Sequence, residues 1–392
     1  APALIVAGLA ASTAGASAAP SSTGALHAKR VCGAPMAGHA ACFSEVLVNR
    51  HNRVPYSSSP PSGALKPVQL VAAYNLPSSP ATGTPTVAIV DAYGYPNLAS
   101  DLATYRSYFK LPSCTEASGC LTVMSQSGST TNLPKMNLGW AQEQALDVDT
   151  VSAACPTCHI LVVEASSSSF ANLGTAVVTA SKQAGVVAIS NSYGGSDAPD
   201  STYGHYYKHP GIAVTASAGD SGYSGASYPA SSAYVVAAGG TSLTMNGTSR
   251  VSETVWSGTG SGCSSYNAAL AAAASFGTQC SGRAMNDVSA AADPANGGMA
   301  VYWPSSRRNS TWAQVGGTSE SSPIIASVFA LSGKTGSTSE FANAIPYGAW
   351  PSGLHDITSG NNGSCSPTVW CKAGSGWDGP TGLGTPNGVS AF

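Results

Sequence analysis

TVAIVDA (86–92) is a run of small and β-branched apolar residues carrying one charge, Asp91, near its end. Four similar runs follow: HILVVEA (159–165), GVVAIS (185–190), GIAVTASAG (211–219) and AYVVAAGG (233–240). They are continuous rather than alternating, as strands are when both faces of a parallel sheet are buried. Between them lie WAQEQALDVDTVSAA (140–154) and ANLGTAVVTASKQA (171–184), which read as helices. Strand-helix alternation predicts an α/β fold with a doubly wound, mostly parallel sheet and helices on both faces. In such sheets ligands gather at the carboxyl ends of the strands.

Composition narrows the classes. Of 392 residues only 9% are charged, and the net charge is −2. An average globular chain carries roughly 25% charged residues. Hydroxyls and glycine replace them, giving a surface whose charge changes little as pH falls. No Lys/Arg cluster suggests nucleic acid or an anionic membrane as partner. Residues 1–19, APALIVAGLAASTAGASAA, read as part of a signal peptide with a cleavage site at Ala16-Ser17-Ala18. No later segment approaches twenty apolar residues, so a secreted, monomeric protein is expected. Residues 20–65 are Pro/Ser-rich without strong periodicity and read as a short N-terminal extension. Residues 66–392 form the main domain.

Ten cysteines suit an oxidising compartment. They fall into five sequence-local pairs, Cys32/Cys42, Cys114/Cys120, Cys155/Cys158, Cys263/Cys280 and Cys365/Cys371, and proximity suggests local disulfides. CPTCH (155–159) also fits the pattern of covalent haem attachment, so a c-type haem protein is an alternative.

The chemistry begins at GGTSESSP (316–323). Glycines allow a tight turn, and Ser319 would begin the helix that continues through IIASVFALS. There its own N–H and the helix dipole favour an oxyanion. A serine nucleophile needs a base, yet none of the seven histidines lies in a His-Gly-Thr helix start. Instead Glu143 and Asp147 stand at i and i+4 of the 140–154 helix, on one face. Two acids so close repel unless they share a proton. A third acid, Asp220 in SAGDSG (217–222), follows an apolar strand; protonated, it could donate to an oxyanion.

Together these three motifs resemble the sedolisins, the serine-carboxyl peptidases with a subtilisin-like fold. The resemblance covers roughly residues 66–392. It implies Ser319 as nucleophile, Glu143 as base, Asp147 as the acid orienting Glu143, and Asp220 as oxyanion partner. NSYGG (191–195) and AMNDVSAAADP (284–294) agree with it, and Asp91 would join the acid network. It further implies one structural Ca²⁺ held by the carboxylates of Asp356 and Asp378 and the carbonyls of Ile357, Gly374 and Gly376. Oxygen ligands on a Gly-rich tail suit that ion.

The chain departs from the family in two ways: only some forty residues stand where a long propart is usual, and Glu320 puts a charge beside the nucleophile. The function expected is acid-acting hydrolysis of proteins or peptides through an acyl-enzyme. The other readings are an inactive sedolisin-like binding protein and a subtilisin-type enzyme using a histidine.

Overall fold

The computed structural model describes residues 1–2, 26–55 and 57–392. The expected signal peptide and its cleavage site fall almost wholly outside these residues.

Nine strands frame the molecule's centre: β1 (His27–Arg30), β2 (Ala41–Cys42), β3 (Glu45–Val48), β4 (Thr86–Ala92), β5 (Leu121–Ser125), β6 (His159–Ala165), β7 (Val186–Asn191), β8 (Tyr193–Ser196) and β9 (Ala213–Ser217). The main sheet runs β5-β6-β4-β7-β9 and then Val236–Asn246, every pair parallel. Beyond it Val236–Asn246 pairs antiparallel with Ser249–Val255 and parallel with Val288–Ala291. The mostly parallel, doubly wound sheet is therefore present, with an antiparallel ribbon at one edge.

Successive side chains of a strand point to opposite faces. In β4, Val87 and Ile89 enter the core shared with the helices Leu138–Ala154 and Thr318–Ser332, here the acid helix and the serine helix. Ala88 and Val90 enter the other core, under the helix Phe170–Ser181. Asn137 caps the acid helix by accepting from the Trp140 N–H at 3.3 Å. Every residue of the serine helix is buried, and Gly333, at φ 69°, closes it in the left-handed conformation.

Residues 27–48 are built into this body. β1 pairs antiparallel with β3. β3 continues onto the strand Ser310–Gly316, and β2 adds to β8. Strands of two to four residues interrupted by Cys, Pro and Gly leave no periodic signal, which is why the sequence shows only an extension here.

The five local disulfides form as expected. Cys155 and Cys158 are buried and bonded to each other, so neither thiol is free for a haem thioether and the haem alternative falls. After Gly353 the tail is mostly loop, with the two-residue pair Leu354–His355 and Thr385–Pro386 and a short 3-10 turn, Thr368–Trp370. Among the described residues no helix is long and apolar enough to cross a membrane.

Candidate active site

Glu143, Asp147, Asp220 and Ser319 meet at the carboxyl edge of the sheet, and none exceeds 6% exposure. Gly317 takes φ 99° before the serine helix, a conformation only glycine adopts cheaply. A Cβ there would overlap both Asp220 Oδ2 and the Phe43 carbonyl oxygen.

Thr318 fixes Asp220. Its N–H and its hydroxyl both donate to Oδ1 at 2.8 Å, and its hydroxyl accepts from the Gly219 N–H at 3.0 Å. Asp220 Oδ2 has no donor. Burial, then the charge of Glu45, pushes the Asp220 pKa well up, while the Thr318 contacts draw it down. A buried carboxyl without enough donors keeps its proton. In the protonated form, the oxygen without a donor, Oδ2, is the one that would carry the O–H.

Ser192, inside NSYGG (191–195), is a site residue that the sequence does not single out. Its hydroxyl donates to Asp147 Oδ1 at 2.8 Å and approaches the Ser319 carbonyl at 3.2 Å. That carbonyl is free because Pro323, four residues on, has no N–H to give it. The signal lay in the proline spacing. The Ser192 carbonyl accepts from the Ser319 hydroxyl at 3.2 Å.

Glu143 is raised to about 8, mainly by burial; the hydroxyls of Ser319 and Ser44 and the Ser44 backbone stand beside it and pull the other way. Neither Glu143 oxygen receives a well-formed hydrogen bond. Asp147 is pushed well up by burial and by the charge of Glu143. Asp91, at the end of β4, is fully buried without a donor and feels Asp147, Glu143 and Glu164. The result is a buried acid cluster whose members push one another's pKa values up, with the Ser319 hydroxyl beside Glu143.

Glu320 corrects an expectation. It is 0% exposed, and its carboxyl is held neutral by burial near the Met299 backbone, so it places no charge in the cleft.

In the tail, Asp356 and Asp378 are close enough for Asp356 to raise the Asp378 pKa, which burial first lifts to about 7. The Gly376 N–H donates to Asp356 Oδ2 at 3.0 Å and the Gly374 N–H to Asp378 Oδ2 at 3.1 Å. Asp356 Oδ1 is buried without a partner, as an oxygen that ligates a cation would be, and Ile357 is buried beside it. With only two acids, carbonyl oxygens would have to complete a shell. The donor set fits a hard cation.

No family model matches the chain. In sequence it is 35% identical over 202 residues to kumamolisin of Bacillus sp. (strain MN-32), covering 46% of this chain and 35% of that protein. It is 34% identical over 174 residues to sedolisin of Pseudomonas sp. (strain 101), covering 41% of this chain and 28% of that one. The matches thus span about a third or less of these curated relatives. In structure, a Pseudomonas sedolisin, a serine-carboxyl proteinase complexed with two molecules of pseudo-iodotyrostatin, matches with TM-score 0.70 and 26% identity, over 83% of this chain and 96% of that one. Sphericase matches with TM-score 0.51 at 17% identity, over 82% of this chain and 99% of that one, a likeness of fold alone. Three sequence motifs and a backbone shared over nearly the whole solved domain lead to one conclusion: the chain is similar to the sedolisins in both sequence and fold.

Proposed function

We propose that the chain is an exported, monomeric serine-carboxyl peptidase that hydrolyses proteins or peptides in acid, with residues 66–392 as its peptidase domain. Ser319 Oγ attacks the scissile carbonyl while Glu143 takes its proton; Glu143 then returns that proton to the leaving amine. Asp147, held by Ser192, orients Glu143. The Asp220 O–H and the Ser319 N–H bind the oxyanion. Water hydrolyses the acyl-enzyme through the same base.

One observation carries this reading: a peptide carbonyl, that of Phe43, already sits on the Ser319 N–H at 3.2 Å, beside Asp220 Oδ2. The site accommodates the group that the reaction needs. Burial is the main reason Glu143 holds its proton so firmly. Water entering a cleared cleft would lower the pKa of Glu143 and of Asp220 alike, freeing the base and leaving Asp220 dependent on acid conditions to donate.

Asp356 and Asp378, with carbonyls of Ile357, Gly374 and Gly376, would hold one Ca²⁺, which braces the tail against the sheet edge. The reading of an inactive binding protein is disfavoured because all four acting groups are present and converge. The deciding experiment is peptide cleavage in acid by the protein and by Ser319→Ala. Loss of cleavage in the variant is expected, and unchanged cleavage would remove Ser319 from the mechanism.

A further inference from the structure

Between the helix Leu98–Tyr108 and the hairpin of Met299–Pro304 and Ser310–Gly316 lies a cavity of about 600 Å³. That volume is within the range of small-ligand sites, about 300–1,000 Å³. The helix leaves the carboxyl end of β4 and leads back to the start of β5, a strand parallel to its neighbours. Its last two turns line the cavity and therefore lie towards the edge of the sheet opposite Ser319.

Strand alternation builds the floor. Val301, Trp303 and Ala313 turn into the central core, so Tyr302 and Trp312 turn the other way. These two face each other across the hairpin with ring centroids 5.3 Å apart. Tyr108 of the helix adds a third ring, 4.9 Å from Trp312, and is 49% exposed. Tyr105 and Phe109 also pack on Trp312, at 5.9 and 5.5 Å, and fix the floor in place. Packed rings of this kind leave the cavity a rigid aromatic wall.

The rim is made of hydroxyls whose protons are already committed. Ser310 donates to Asp101 Oδ2 at 2.6 Å, Thr104 to the Ser100 carbonyl at 3.0 Å, and Ser57 to the Ser59 carbonyl at 2.5 Å. Each oxygen therefore meets a ligand as an acceptor. Their settings are firm: Asp101 also accepts from the Tyr95 hydroxyl, and the Ser57 N–H and carbonyl both bond the Thr311 hydroxyl at 3.0 Å. Among the described residues that line the cavity none is charged.

This combination selects its ligand. The negative face of an aromatic ring attracts weakly positive C–H groups. Three acceptors around it call for several O–H donors on one small molecule. A pyranose ring offers both, C–H groups on its flat face and hydroxyls around its edge. An anion would meet acceptors, and a cation would find no carboxylate on the lining. We propose that this cavity is a saccharide-binding site for one or two neutral pyranose rings, anchoring the protein to a glycan independently of its catalytic cleft. Tyr108 stacks on the sugar face, and Ser57, Thr104 and Ser310 accept from its hydroxyls. The glycan is carried either by a polysaccharide or by a glycoprotein.

The test uses the full chain as Ser319→Ala, so it does not depend on the peptidase reading. Calorimetric titration with cellobiose, maltose, mannobiose and N,N′-diacetylchitobiose should show binding of at least one. Tyr108→Ala removes the stacking ring, and Thr104→Arg fills the cavity from an exposed helix position. Each should weaken that binding by about tenfold or more, with Tm close to the parent's as the check on folding. Retention of the parent, and not of Thr104→Arg, on cellulose or chitin would assign the glycan to a polysaccharide. The same pattern on a mannosylated glycoprotein would assign it to a protein carrier. Binding of none of the four sugars, or equal binding by the parent and both variants, would overturn the proposal. So would capture of a Tyr/Phe-rich peptide in place of every sugar, lost in Thr104→Arg, since the cavity would then be a peptide site.

Discussion

Replacing Glu164 by Gln, in a Ser319→Ala background that cannot digest itself, isolates one member of the buried acid rim. Glu164 ends β6 opposite Asp91, is 0% exposed, and accepts one hydrogen bond, from the Tyr95 N–H at 2.8 Å. Its other oxygen has no partner. Burial raises its pKa from 4.5 to about 7, the Tyr95 contact offsetting part of the rise. The fold therefore prefers the protonated form. The stability this proton gives is fully present below the unfolded value of 4.5, is lost as pH rises towards 7, and is absent above. A shift of about 2.5 units at 1.36 kcal/mol per unit is about 3 kcal/mol.

Gln matches the neutral acid and does not titrate, so the difference between the two proteins reads the effect directly. At about 2.1 cal/mol/K per residue, this chain unfolds with an entropy near 0.8 kcal/mol/K, which makes 3 kcal/mol about 4 °C. Calorimetry should find the two Tm values close at about pH 4 and Glu164→Gln about 4 °C higher at about pH 8. Relief of Asp91, which Glu164 also pushes up, acts in the same direction. A difference that stays constant across that range would refute the reasoning.

Thr318→Val removes the hydroxyl that bridges Asp220 and Gly219, leaving a buried carboxyl short of a donor. It should cost about 1–3 kcal/mol by denaturant unfolding, with peptidase activity falling as well. Ser192→Ala frees both Asp147 Oδ1 and the Ser319 carbonyl, and kcat for a peptide substrate should drop about ten- to hundredfold as the base loses its orientation. Chelator should lower Tm by the equivalent of about 3–4 kcal/mol if Ca²⁺ is present at 100 to 1,000 times its Kd. In Asp378→Asn, chelator should have little effect.

The sheet and its two buried helices were legible because continuous apolar runs and helical spacing are local signals. Thr86–Ala92 and His159–Ala165 were readable to the residue. The edge strand Leu121–Ser125 was not, being short and following a Cys/Gly turn. The acids and the serine were visible as spacing: Glu143 and Asp147 a turn apart, Ser319 after two glycines. What the sequence hid was long-range. Ser192 and Thr318 matter through contacts about a hundred residues away. Glu320 read as a charge in the cleft, whereas the helix turns it into the core. Residues 27–48 looked featureless because their strands are completed by partners elsewhere in the chain.

The most direct test is the pH dependence of kcat/KM for a peptide substrate, measured for the protein and for Glu143→Gln. Cleavage should be best in acid and fade towards neutrality, and the variant should be slower by about 10²- to 10⁴-fold, the worth of a positioned base. An optimum above neutral pH, or a Glu143→Gln variant as fast as the parent, would contradict a serine served by carboxyl groups.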